Sequence, residues 1–121
     1  MDLHESGEMY LETILTLKKK NQYVRSIDIA NALNYSKPSV SRGVKILKEA
    51  QLILVDDKGY IDFTEEGQKI AQGVYDRHTA LTKFLVHIGV SQQQAENDAC
   101  RIEHVISDET FHCLQEYVKN K

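Results

Sequence analysis

Two short helical patterns separated by a two-residue turn, over residues 26–50, restrict the fold more than any other feature of the sequence. In residues 26–33, Ser26 is placed to cap a helix, and apolar side chains then recur at helical spacing. Residues 36–50 hold the only proline of the chain, Pro38, in a first turn, where a missing N–H group costs nothing. The two patterns predict a helix-turn-helix, whose second helix reads the major groove of DNA through its N-terminal residues.

The surface of this second helix is predicted to be polar and basic. The residues expected at its outward face or N-terminal end are Ser36, Ser39, Ser41, Arg42 and Lys45. Residues 18–51, which include Arg25 and Lys37, carry eight Lys or Arg and two acids, although the whole chain has a net charge of −3. A basic segment inside an acidic chain fits phosphate contact by one face. A solvated lysine-rich surface would have the same composition.

A β-hairpin is predicted directly after the helix-turn-helix. Residues 52–55 and 60–63 are apolar, β-branched or aromatic, and the polar, glycine-containing stretch 56–59 separates them. A hairpin in this place forms the wing of a winged helix. Lys58, at its tip, would either reach a DNA phosphate or remain an ordinary exposed turn residue.

Three further helices are predicted, over residues 64–89, 91–105 and 108–119. Their apolar faces are too large for one small winged helix, which favours a homodimer formed through residues 64–121. The expected fold is therefore mainly α with a small β-hairpin. A winged helix-turn-helix over residues 1–63 is followed by a helical domain over residues 64–121. Two-fold symmetry would present two recognition helices to a palindromic site on double-stranded DNA.

One helical turn near the C-terminus gathers potential metal ligands. Cys100, Glu103 and His104 stand at positions i, i+3 and i+4, which share a helix face. Thiolate, carboxylate and imidazole together suit a mid-series divalent transition ion. The alternative is a helix with one buried cysteine and a solvated Glu–His pair. Cys113 lies on an apolar face and is predicted to pack in the core.

Composition also sets the expected compartment and excludes some functions. The chain has no apolar run of 18 residues and no basic-then-apolar leader, so we expect no membrane association and a cytoplasmic location. Two cysteines do not make a disulfide framework. The sequence contains no His-Glu-x-x-His motif, nucleophile elbow or Gly-rich phosphate loop, so no enzymatic activity is expected.

Three stretches, residues 8–14, 36–41 and 98–109, resemble the diphtheria toxin repressor family of iron- and manganese-dependent transcriptional regulators. The resemblance implies that metal ligands fall on Met9, Glu12, His78, Cys100, Glu103 and His104. It also implies that DNA-facing residues fall on Ser36, Pro38, Ser39, Ser41 and Arg42. The remaining basic residues expected at DNA are Arg25, Lys37, Lys45 and Lys58.

The chain departs from the iron-type branch of that family in three ways. Thr82 stands where that branch has an acid in a second metal site, and Glu96 stands where it often has histidine. The length corresponds to a short form without the SH3-like domain. Cys100 and Met9 favour Fe(II), whereas Glu12 and Glu103 favour Mn(II), so Fe(II) is preferred with Mn(II) as the close alternative.

The predicted function is that of a metal-dependent DNA-binding regulator, a repressor of metal-uptake genes that Fe(II) or Mn(II) activates for operator binding. The alternative is a winged-helix regulator that does not depend on metal. In that case Cys100, Glu103 and His104 would be structural.

Overall fold

The computed structural model describes residues 5–120 and divides the chain into two compact units, Met1–Gln72 and Gly73–Lys121. The helices are α1 (Glu5–Lys20), α2 (Ser26–Leu33), α3 (Lys37–Glu49), α4 (Glu65–His87), α5 (Gln92–Ile102) and α6 (Asp108–Lys119). The strands β1 (Ile53–Val55) and β2 (Ile61–Phe63) lie between α3 and α4. A mainly helical fold with one β-hairpin is therefore confirmed. None of the described helices is both long and apolar enough to span a membrane.

The core of the first unit is formed by apolar faces of α1, α2 and α3. Among its buried side chains with at most 1% exposure are Leu11 and Ile14 of α1, Ile29 of α2, and Val40 and Leu47 of α3. Leu11 and Ile14 lie three positions apart and Val40 and Leu47 seven, so α1 and α3 each turn one apolar stripe inward. The polar face of α3 is thereby left toward solvent.

The turn of the helix-turn-helix has the local geometry that its sequence indicates. Asn34 ends α2 in the left-handed conformation with φ of 57°, which asparagine tolerates better than most residues. Ser36 caps α3 by accepting a hydrogen bond from the Ser39 N–H group at 3.3 Å. The predicted cap of α2 is wrong by one residue, because Arg25 holds the N-cap position and Ser26 is already helical.

The wing is a two-stranded antiparallel sheet in which Ile53 pairs with Phe63 and Val55 with Ile61. Asp56 organises its tip, because its Oδ1 accepts hydrogen bonds from the N–H groups of Lys58 at 2.9 Å and Tyr60 at 2.8 Å. The N–H group of Ile61 donates to the Val24 carbonyl at 2.8 Å. The wing is thus attached by its main chain to the segment that precedes α2.

Helices α1 and α3 approach each other at a distance that only glycine permits. A Cβ atom added at Gly43 of α3 would lie 2.2 Å from a ring carbon of Tyr10 on α1. Tyr10 is 8% exposed, so its ring has little room to move away. This contact fixes how closely α3 packs against α1.

The second unit contains most of α4 together with α5 and α6. Ser91 and Ser107 cap α5 and α6 as their positions predict, accepting hydrogen bonds from Gln94 N–H at 3.3 Å and Thr110 N–H at 3.1 Å. The predicted extent of α5, to residue 105, is wrong: α5 ends at Ile102, and Glu103 is its C-cap. A turn follows in which the N–H groups of residues 105 and 106 both donate to the Ile102 carbonyl.

Candidate metal centre and DNA-binding face

A fully buried carboxylate is the most unusual feature of the second unit. Glu103 is 0% exposed, and neither of its side-chain oxygens accepts a hydrogen bond within residues 5–120. Its Oε2 lies 3.2 Å from Nδ1 of His78, and its Oε1 lies 3.6 Å from Nε2 of His104. The His104 side chain is fully buried, and that of His78 is 27% exposed. Two imidazole nitrogens therefore flank one buried carboxylate.

Local backbone geometry explains how Glu103 and His104 come together at the end of α5. Glu103 keeps a right-handed helical conformation, with φ of −58° and ψ of −23°, and its N–H group donates to the Ala99 carbonyl at 2.9 Å. The helical path thus continues for one residue beyond α5. His78 reaches the same carboxylate from α4, 25 residues earlier in the sequence.

A buried carboxylate without a hydrogen-bond donor is costly unless a positive charge compensates it. The positive charge would come either from a protonated imidazole or from a bound cation. Carboxylate oxygen and neutral imidazole nitrogen are both good ligands for divalent transition ions. The donor set around Glu103 therefore fits the ion that the sequence predicts.

The other predicted ligands lie on two of the helices, α1 and α5. Cys100 is half-buried on α5 in the second unit, and Met9 and Glu12 are half-buried on α1 in the first unit, one turn apart. Thr82, which stands where the iron-type branch has an acid, is 8% exposed on α4, one turn beyond His78.

Glu96 and Cys113 are exposed, unlike the predicted metal ligands. Glu96 is exposed and accepts a hydrogen bond from Gln92 Nε2 at 3.0 Å. The prediction that Cys113 packs in the core is wrong, because its side chain is exposed on α6.

The predicted DNA-binding residues all lie in the first unit, and all but one are exposed. The exposed residues are Arg25, Ser36, Lys37, Pro38, Ser41, Arg42, Lys45 and Lys58, and Ser39 is half-buried. Ser39 is hydrogen-bonded on both sides, to Ser36 Oγ at 2.9 Å and to Nη2 of Arg42 at 3.3 Å. The N-terminal end of α3 thus presents linked hydroxyl groups and a guanidinium.

The sequence analysis did not predict that Arg25 contacts the aromatic side chain of Tyr60. Nη2 of Arg25 donates to the hydroxyl of Tyr60 at 3.1 Å, and the guanidinium carbon lies 4.7 Å from the Tyr60 ring centroid. Tyr60 in turn stacks on Tyr23, with ring centroids 4.5 Å apart. Because Arg25 and Tyr60 are 35 residues apart, no periodic pattern could have paired them.

The fold and the cluster around Glu103 define a winged-helix protein with a potential metal centre in its helical second unit. Residues 2–64 match the family described as "Iron dependent repressor, N-terminal DNA binding domain". Residues 64–121 match the family described as "Iron dependent repressor, metal binding and dimerisation domain". The chain therefore belongs to the diphtheria toxin repressor family of metal-dependent transcriptional regulators.

The named relatives are repressors and transcriptional regulators. The chain is 34% identical over 116 residues to the diphtheria toxin repressor of Corynebacterium glutamicum, covering 95% of this chain and 51% of the relative. It is 31% identical over 120 residues to the iron-dependent repressor IdeR of Mycobacterium tuberculosis, covering 98% and 52%. It is 35% identical over 102 residues to the transcriptional regulator MntR of Escherichia coli O6:H1, covering 84% and 66%. The chain thus spans about half the length of the first two relatives.

Solved structures show the same fold. The manganese regulator SloR superimposes with a TM-score of 0.83 at 27% identity, covering 100% of this chain and 56% of SloR. This similarity confirms the predicted winged helix-turn-helix. The named relatives are transcriptional repressors and regulators, in agreement with the prediction that the chain is not an enzyme.

Proposed function

We propose that this chain is a DNA-binding repressor that Fe(II) or Mn(II) activates for operator binding. The observation that carries the proposal is the buried carboxylate of Glu103, flanked by His78 and His104 without a hydrogen-bond donor. A bound divalent ion would supply the positive charge that this carboxylate lacks. The exposed polar end of α3 supplies a surface suited to the major groove of DNA.

The proposed ligand set extends beyond the three residues around Glu103. Cys100 would contribute a thiolate from α5, while Met9 and Glu12 would contribute a thioether and a carboxylate from α1. Each ligand must lose its proton, where it has one, and hold a fixed position when it coordinates an ion. This assignment follows from the ligand chemistry and from the family to which the chain belongs.

Such a ligand set would couple metal binding to DNA binding. Residues 1–63 would form the DNA-binding domain, and residues 64–121 would form the metal-binding and dimerisation domain. Ligands contributed by α1 and by the later helices would limit the motion of the DNA-binding domain. Less free energy would then be needed to order the DNA-binding domain when it binds DNA. Metal and operator would therefore raise each other's affinity by the same factor.

The proposed partner is a palindromic operator in double-stranded DNA, bound by a two-fold homodimer. The preferred ion depends on the balance between soft and hard ligands. Cys100 and Met9 favour Fe(II), and Glu12 and Glu103 favour Mn(II). The names IdeR and SloR specify iron and manganese respectively for those relatives, so family membership is compatible with either ion.

The proposal is tested by selecting duplexes from a randomised DNA pool under anaerobic conditions, without metal, with Fe(II) and with Mn(II). Enrichment of a palindrome only when metal is present is the expected result, and the ion effective at the lower concentration is the preferred one. Equal enrichment without metal would instead support a metal-independent winged-helix regulator. In that case a protonated imidazole would compensate Glu103.

A further inference from the structure

We propose that Arg77 is a positioning residue for the metal centre, because it holds the main chain that carries Glu103 and His104. This inference rests on the proposed function, since it concerns residues proposed as metal ligands. Arg77 precedes His78 on α4 and has a half-buried side chain with 23% exposure. It is not proposed to touch the ion itself.

The guanidinium of Arg77 contacts three groups around the turn between α5 and α6. Its Nη1 lies 3.5 Å from the main-chain oxygen of Glu103, a long hydrogen bond. Its Nη2 forms an ion pair with Asp108, the first residue of α6. Its central carbon lies 5.7 Å from the ring centroid of Phe111. One side chain therefore connects both ends of the turn to α4.

Two consecutive residues of α4 thus act on the same ligand. Arg77 contacts the main-chain oxygen of Glu103, and His78 contacts its carboxylate. Glu103 lies one residue beyond α5, and the N–H groups of residues 105 and 106 share a single acceptor, the Ile102 carbonyl. We infer that Arg77 supplies the additional constraint that keeps Glu103 in place.

The charge of Arg77 allows a positioning role to be distinguished from a purely electrostatic effect, because the two change metal affinity in opposite directions. A cationic side chain near a metal site repels the ion, so its removal would tighten metal binding if charge alone mattered. A positioning role predicts the opposite, because ligands that lose their outer support bind metal about 10–100-fold more weakly. Arg77→Gln removes the charge and the guanidinium while keeping a polar, unbranched side chain.

The experiment measures the dissociation constant for Co(II) by absorption titration, under anaerobic conditions, with the wild-type chain, Arg77→Gln and Arg101→Gln. Arg101 is a matched control, because it is an exposed arginine on α5 next to Cys100. We expect Arg77→Gln to weaken binding about 10–100-fold and to alter the Co(II) absorption bands, which report ligand geometry. Arg101→Gln should stay within about twofold of wild type, as surface substitutions do.

A second variant keeps the test decisive if Arg77→Gln fails to fold. Asp108→Asn removes the ionic partner of Arg77 without changing α4, and it should weaken Co(II) binding in the same direction. Wild-type or tighter binding by folded Arg77→Gln, or unchanged binding by Asp108→Asn, would overturn the inference while leaving the proposed function intact. Failure of the wild-type protein to bind Co(II), Mn(II) or Fe(II) would overturn both.

Discussion

Nδ1 of His78 lies 3.2 Å from Oε2 of Glu103, and this carboxylate accepts no hydrogen bond in the described part of the chain. The pair is compatible with two chemical states. In one, a protonated imidazole neutralises Glu103 directly. In the other, both side chains are ligands of a shared cation. The two states make opposite predictions about what happens when the carboxylate is replaced.

Glu103→Gln is expected to abolish metal-induced stabilisation without destabilising the metal-free protein. Wild type should gain about 2.7 kcal/mol of unfolding free energy when Mn(II) is present at about 100 times its dissociation constant. The variant should gain nothing, because it lacks the central ligand. Without metal it should be at least as stable as wild type, because an uncompensated buried charge has been removed. Urea unfolding at neutral pH, with and without Mn(II), measures both quantities.

Glu116→Gln provides the matched control, because Glu116 is exposed on α6. It should behave as wild type in both conditions. A loss of about 3–5 kcal/mol in the metal-free Glu103→Gln protein would show that Glu103 is held in a buried ion pair with histidine. A gain in unfolding free energy from Mn(II) in Glu103→Gln equal to that of wild type would contradict the metal-ligand interpretation.

The sequence predicted the parts of this site that depend on neighbouring residues, and it missed those that depend on contacts between residues far apart in the chain. Capping by Ser107 and the apolar face after it are local, so the bounds of α6 are predicted correctly. The end of α5 is not, because Glu103 keeps helical backbone angles beyond the helix and so preserves the i, i+3 spacing of Cys100 and Glu103. The contact of Arg77 with Asp108 joins residues 31 positions apart, and no periodic pattern signals it.

Gly43→Ala is expected to destabilise the protein although alanine is the better helix former. The added methyl group would meet the Tyr10 ring at 2.2 Å, and such overpacking costs about 1–3 kcal/mol. Gly73→Ala is the control, since nothing lies within 4 Å of a Cβ added at this helical position. It should instead raise the unfolding free energy by up to about 1 kcal/mol. Equal effects in urea unfolding would show that the α1–α3 contact is not tight.

The ion pair between Lys18 Nζ and Asp62 Oδ1, at 3.2 Å, is expected to make a small pH-dependent contribution to stability. The N–H group of Phe63, followed by Lys18, lowers the pKa of Asp62 below its ordinary value of 3.8. A lowered pKa means that the contribution is complete above about pH 4 and is lost as the pH falls through the pKa of the folded protein.

Asp62→Asn should therefore reduce the unfolding free energy by less than about 1 kcal/mol at pH 7, because the Asp62 side chain is 71% exposed. The difference from wild type should shrink progressively below about pH 4, as the wild-type carboxylate also becomes neutral. Urea unfolding of both proteins across this pH range measures this difference in unfolding free energy. A difference that grows as the pH falls would contradict the assigned direction of the pKa shift.

Arg25 and Tyr60 are expected to act together in DNA binding. Arg25→Ala should weaken binding and reduce the slope of log affinity against log salt by about one, as loss of one phosphate contact does. Tyr60→Phe removes the hydroxyl that Arg25 donates to but keeps the ring stack with Tyr23. It should weaken binding with little change in slope, and it should have no further effect when Arg25 is already alanine.

Tyr23→Phe serves as the control, because it keeps the ring stack and leaves the Arg25–Tyr60 hydrogen bond in place. Fluorescence anisotropy on a selected duplex at several salt concentrations provides the affinities. Additive effects of Arg25→Ala and Tyr60→Phe would mean that the Tyr60 hydroxyl does not position the guanidinium.

The central claim is that DNA binding depends on metal held by Glu103 and its neighbouring ligands. The most direct test measures the affinity of wild type and Glu103→Gln for one selected duplex, at fixed salt, without metal and with saturating Mn(II) or Fe(II). We expect metal to tighten DNA binding by wild type about 5–150-fold, the usual range of such coupling, and to leave Glu103→Gln unchanged. Equal stimulation of both proteins, or full affinity of metal-free wild type, would contradict the claim.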